Sequence, residues 1–146
     1  GGIFSMFYLH VRRVFNIENQ RRLAFIGSFF GILGGLFLAG VGLTPADLYL
    51  EIHIVCATWL FRFFCVASLC YSIVIFRHAQ FENKFAAGYL VFTFSILLYI
   101  LVSELGPDPK ISQFSLMLQV VSQKIILLIL MAAIYIQTLG LQKLHN

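Results

Sequence analysis

Four long apolar runs, at about 23–43, 52–76, 85–103 and 112–141, constrain this chain more than any other feature of its sequence. A helix rises about 1.5 Å per residue, so about 20 apolar residues cross the hydrocarbon core of a bilayer. Each run reaches about that length, the longer ones with tilt. None alternates in the manner of a strand, and in lipid an open strand would leave its backbone unpaired. Composition agrees. Of 146 residues, 60% are hydrophobic and 11% charged, against about 25% charged in an average soluble domain. A soluble domain of this size would carry the excess as an aggregating shell. We therefore expect a single membrane domain over 1–146. Its fold class is all-α: an integral membrane bundle of four transmembrane helices plus an N-terminal helical stub. The stub, at 1–11, is apolar but too short to span. It reads as the end of a helix that begins before Gly1, with an interfacial helix ending at Arg12-Arg13 as the alternative. No small-residue cleavage site follows it, so it does not read as a signal peptide.

The net charge of +4 matters less than where it lies. Arg12, Arg13, Arg21 and Arg22 form one basic cluster, and Arg77 and Lys84 a second. The segment TPADLYLE at 44–51 has Asp47 and Glu51 but no Lys or Arg, and ELGPDPKI at 104–111 has Glu104 and Asp108 against one Lys. By the positive-inside rule, residues 12–22, the 77–84 loop and the C-terminus face the cytoplasm. Loops this short make successive helices antiparallel neighbours. No basic stripe is interleaved with exposed aromatics, so nucleic acid is not an expected partner.

In the first run Gly27, Gly31, Gly35 and Ala39 recur every four residues. This places four small residues on one helix face, a seam where another backbone approaches closely, within the chain or from a partner. Arg62 and Lys124 fall well inside the second and fourth runs. A cation at mid-membrane costs on the order of 2.5–3.5 kcal/mol on insertion scales. Glu51 lies about 16 Å along the helix from Arg62, and the remaining acids read as loop residues. Neither cation has an evident counter-ion in the chain. An anionic lipid, an acid on a partner or on missing helices, and snorkelling to water are the three accounts. Gln119 and Gln123 share a face beside Lys124 and favour hydrogen bonds across helices over a polar cavity. Arg62, Lys124, Gln119 and Gln123 are thus the candidate residues for binding an anionic lipid or a partner's acid. Asp47, Glu51, His53 and Glu104 are the polar residues of the outer face.

His53 opens the second run, while His10 and His78 belong to the opposite side and His145 to the tail. No facing pair of histidines at one depth is available for a haem, and a hydrogen-bonded interfacial histidine is the expected state of His53. Cys56, Cys65 and Cys70 lie in one apolar run without a CxxC pair. They read as small apolar residues and not as a thiol redox centre. No metal motif, paired-carboxylate motif or nucleophile elbow is present. No catalytic residue, metal or cofactor is expected, and the sequence leaves room for a bound phospholipid.

The order of these features resembles a known polytopic family. A glycine-rich span is followed by Pro45-Ala46-Asp47, then His53, Ala57 and Phe61, then Ser103-Glu104-Leu105-Gly106, then Gln119, Gln123 and Lys124. The pattern is similar to that of the damage-regulated autophagy modulators, the FGF-receptor-activating and GPI-remodelling proteins, and their prokaryotic relatives, over most of residues 20–140. Their five or six spans compare with four and a stub here. The resemblance implies a bundle tied to lipid handling or to scaffolding, with Asp47 and His53 as an outer-face pair and Lys124 as a buried cation. The leading expectation is a non-catalytic scaffold or accessory subunit, partnered by membrane lipids and by other subunits or copies of itself. The alternative is a lipid transporter or remodelling protein that binds an anionic lipid at Arg62 and Lys124. A haem- or quinone-associated subunit is the weaker third reading.

Overall fold

The computed structural model describes residues 1–15, 20–79, 81–107 and 111–145. The described residues are helical throughout apart from short turns. The order is α1 (Gly2–Val14), α2 (Arg21–Leu43), α3 (Leu50–Phe76), α4 (Asn83–Leu105) and α5 (Gln113–His145). Helices α2 to α5 are each long and apolar enough to cross a membrane, and α1 is the short N-terminal helix. The fold is therefore the expected all-α membrane-type bundle of four spans plus a stub. Parts of the 12–22 and 77–84 segments, together with Asp108, lie outside the described residues.

The helices end where backbone chemistry requires. The Thr44 N–H returns to the Gly40 carbonyl at 3.0 Å and its hydroxyl to the same oxygen at 2.8 Å. Pro45 then prevents continuation. Gly106 and Pro107 stop α4 in the same way.

Backbone contact between helices is confined to neighbours in sequence, α1 with α2, α2 with α3, α3 with α4 and α4 with α5. Short connections hold each helix beside the one before it, which gives a row. Along the helix axes, the Arg77 loop lies at one end of the bundle, called here the basic end, and the Pro45 turn at the other, the acidic end. In α3, 61% of the most apolar stretch is buried, against 33% in each of the other spans. It is therefore the central helix, and α2, α4 and α5 expose apolar side chains such as Leu36, Phe94 and Leu128.

The small-residue face of α2 divides between two neighbours. A methyl group added at Gly31 would overlap the Tyr8 ring of α1, and Gly35 lies against Ser5 and Gly1. Gly1 also abuts Ala39, so Gly31, Gly35 and Ala39 seat α1. Gly27 instead faces Cys70 and Tyr71 of α3, and Gly34 faces Phe64. The seam is filled from within the chain. Without side chains at these positions the backbones approach closely, which in lipid is the main source of helix association.

Polar bonds bind the row laterally. Ser28 of α2 donates to the Tyr8 carbonyl at 3.0 Å and shares a 2.5 Å hydrogen bond with Tyr71 of α3. The Ser68 and Thr93 hydroxyls join α3 to α4 at 2.7 Å. Gln137 of α5 donates to the Phe85 carbonyl of α4 at 2.5 Å. Cys65 and Cys70 are buried, Cys56 is half-buried, and all three are free thiols.

Candidate functional site

Most of the polar residues read from the sequence as outer-face or ligand candidates gather near the acidic end of α3, α4 and α5. There a cleft of about 350 Å³ is lined by His53, Thr58, Tyr99, Ser103, Gln119 and Gln123 together with aliphatic side chains. The gathering follows from helix periodicity. Tyr99 and Ser103 stand four residues apart on α4, and Gln119 and Gln123 stand four apart on α5, so each pair shares one face. Antiparallel packing turns the two faces toward each other. Gln123 donates to the Tyr99 hydroxyl at 2.8 Å, the interhelical bond expected of these amides. Tyr99 and Thr58 were not singled out in the sequence, and Ser103 entered only through the family resemblance, because isolated hydroxyls inside apolar runs carry little signal. The two facing pairs, each spaced i,i+4, are the signal that identifies Tyr99 and Ser103; no such spacing marks Thr58.

His53 lines this cleft with its tautomer set. Its Nδ1 lies 2.6 Å from the Thr44 carbonyl oxygen. A carbonyl only accepts, so Nδ1 carries the hydrogen, and the neutral ring then presents Nε2 as an acceptor. His78 stands roughly 37 Å away along α3 and the turn that follows it, buried against Phe15 with ring centroids 5.3 Å apart. His10 is on α1, near that same end. His53 therefore has no facing histidine among the described residues. Nor does any group of three or more His, Cys, Asp or Glu side chains come together among them.

Arg62 corrects one sequence reading. It has a counter-ion within the chain: its Nη2 lies 2.6 Å from Glu104 Oε1. Glu104 was taken for a loop residue, but α4 continues through Leu105 and places it in the last helical turn. The pair then follows from side-chain direction. Side chains lean toward the N-terminus of their own helix. In antiparallel α3 and α4, Arg62 therefore leans toward the acidic end and Glu104 away from it, and they meet. Trp59 covers one side of the guanidinium, 5.3 Å from ring centroid to Cζ. A hollow of about 20 Å³ lies among Thr58, Arg62, Tyr99, Ser103 and Glu104, room for about one water. It shares Thr58, Tyr99 and Ser103 with the larger cleft.

Lys124 does not join Arg62 in a shared site. It is exposed on α5, lines neither hollow, and makes no ion pair among the described residues. One residue beyond Gln123, it is turned about 100° around the helix. Asp47 and Glu51 are also exposed and do not line the cleft.

No protein-family model matches this chain, and neither a curated protein nor a solved structure does. The functional reading therefore rests on the geometry of the cleft. Among the described residues its polar groups are amide, hydroxyl and imidazole, and the cation beside it, Arg62, is neutralised by Glu104. Such a lining can donate and accept hydrogen bonds, and its described residues present no uncompensated charge. It suits the polar end of an uncharged or zwitterionic molecule better than an anion.

Proposed function

We propose that this protein is a lipid-handling membrane protein that binds the polar end of an uncharged or zwitterionic amphiphile in the cleft between α3, α4 and α5. One observation carries the reading: a cleft walled by three apolar helices, each long enough to cross a membrane, brings His53, Tyr99, Ser103, Gln119 and Gln123 together. Polar groups within a span are costly unless they serve helix packing or a ligand. Gln123 and Tyr99 serve both ends, bonded to each other and still lining the cleft. The aliphatic part of the lining supplies a wall for an acyl or prenyl chain. The resemblance to a family linked with lipid handling supports the same reading.

This reading modifies the lipid alternative drawn from the sequence. Arg62 is matched by Glu104, which moves the ligand's chemistry from anionic to neutral or zwitterionic. One support of the scaffold reading, the glycine seam, is occupied by α1 of this chain. In the proposed orientation the basic end faces the cytoplasm, so the cleft opens in the opposite leaflet.

Native mass spectrometry of the protein, gently extracted from its own membrane, tests the reading. We expect a co-purifying uncharged or zwitterionic lipid that is lost in His53→Leu and in Gln123→Leu, with the fold retained. Retention of the same lipid by both variants, or a protein free of lipid, refutes it. Stable co-purifying polypeptides with no lipid would return the scaffold reading to first place.

A further inference from the structure

At the opposite end of the bundle the structure makes a second site from residues that the sequence marks only as topology signals. Arg12 and Arg13 close α1, and Arg21 and Arg22 open α2. Because α1 runs back along α2, the two pairs converge. Arg12, Arg21 and Arg22 line one hollow of about 640 Å³ with Phe25 and Ile26. Arg12, Arg13 and Arg21 line an adjoining one of about 410 Å³. The hollows share Arg12 and Arg21, so they form one groove.

We infer that this groove binds an anionic phospholipid that carries more than one phosphate charge. The first reason is charge. The four guanidiniums make no ion pair among the described residues, whereas Arg62 and Lys84 are each paired with a glutamate. Four guanidiniums held within one concavity repel one another, and a polyanion relieves this. Guanidinium is also the group best shaped for bidentate phosphate binding. The second reason is position. The groove adjoins the start of the α2 span, where Phe25 and Phe29 expose 48% and 52% of their surface. Headgroup phosphates on the arginines would leave acyl chains along these rings. The third is preorganisation: the Arg12 guanidinium stands 4.6 Å over the Phe25 ring, which holds the cation at the junction of polar and apolar surface. Clusters of basic residues immediately beside a span are a known form of anionic-lipid site. This inference is independent of the cleft near His53.

The test is a titration of the detergent-solubilised full chain by native mass spectrometry with cardiolipin, which carries two phosphates. Phosphatidylglycerol and phosphatidylcholine serve as comparisons. Cardiolipin is expected to bind tightest, and phosphatidylcholine not measurably. Each arginine removed should weaken cardiolipin roughly five-fold. The Arg12→Gln/Arg21→Gln double variant should therefore lose roughly 25-fold, and Arg13→Gln/Arg22→Gln, an independent pair at exposed positions, should lose a comparable amount. Arg77→Gln, an exposed cation at the same end but outside the groove, should change binding less than two-fold. Wild-type affinity in both double variants would overturn the inference. So would an equal loss in Arg77→Gln, which would make the effect diffuse surface charge. Full displacement of cardiolipin by millimolar inorganic pyrophosphate would assign the groove to a soluble anion and overturn it as well.

Discussion

Arg62 of α3 and Glu104 of α4 form an ion pair across the helix interface, 2.6 Å from Nη2 to Oε1, with 39% and 56% of their side chains exposed. The pair neutralises a cation roughly 18 Å along α3 from its first residue. It also sets the chemistry of the adjoining cleft, because a matched pair beside a binding site does not recruit an anion.

Removing one partner should cost more than removing both. Glu104→Gln leaves Arg62 without a carboxylate inside a span, whereas Arg62→Leu removes the cation outright. A double-mutant cycle with Arg62→Leu and Glu104→Gln should give a coupling of about 1 kcal/mol, near the upper end for exposed pairs because Trp59 shields one face. Reversible unfolding in mixed micelles measures it. A coupling indistinguishable from zero would mean that the pair contributes nothing.

Glycine at position 31 is a packing requirement. Gly31→Leu drives a side chain into the Tyr8 ring and should destabilise the protein by about 3 kcal/mol, with α1 displaced from α2. Gly42 has no neighbour within 4 Å of an added methyl, so Gly42→Ala should stay within about 0.5 kcal/mol of the parent. The native mass should not change in either variant, since the seam contacts α1 of the same chain. Dissociation of a complex by Gly31→Leu would instead assign the seam to a partner.

Among the described residues α5 makes helix-to-helix backbone contact with α4 alone, and buried Gln137 bonds to it through the Phe85 carbonyl. Gln137→Leu should cost about 1 kcal/mol. The loss should be local, because α5 lies at the end of the row. Amide hydrogen exchange is expected to rise in α5 and remain unchanged in α2 and α3. Uniformly faster exchange would show that the five helices unfold as one unit.

The proposed orientation is tested by labelling. In a background with Cys56, Cys65 and Cys70 replaced by alanine, Asp47→Cys should react with a membrane-impermeant maleimide in intact cells. Arg77→Cys should react only after permeabilisation. Both positions are exposed. The reverse pattern would invert the topology and place the arginine groove on the outer side.

The amino-acid sequence by itself determined the helices. The apolar runs at 23–43, 52–76, 85–103 and 112–141 correspond to Arg21–Leu43, Leu50–Phe76, Asn83–Leu105 and Gln113–His145. In lipid a backbone must satisfy its own hydrogen bonds, so apolar length alone dictates a helix. Short loops then dictate antiparallel neighbours. Which side chains meet was decided by the tertiary structure. A further half-turn at the end of α4 put Glu104 on the helix and gave Arg62 its counter-ion. The docking of α1 divided the small residues of α2 between two neighbours, and the facing of α4 and α5 joined Tyr99 to Gln123. One residue of rotation separated Gln123, inside the cleft, from Lys124, outside it. Apolar length is a property of each segment alone, whereas these contacts depend on how far neighbouring helices extend and how they are rotated against each other.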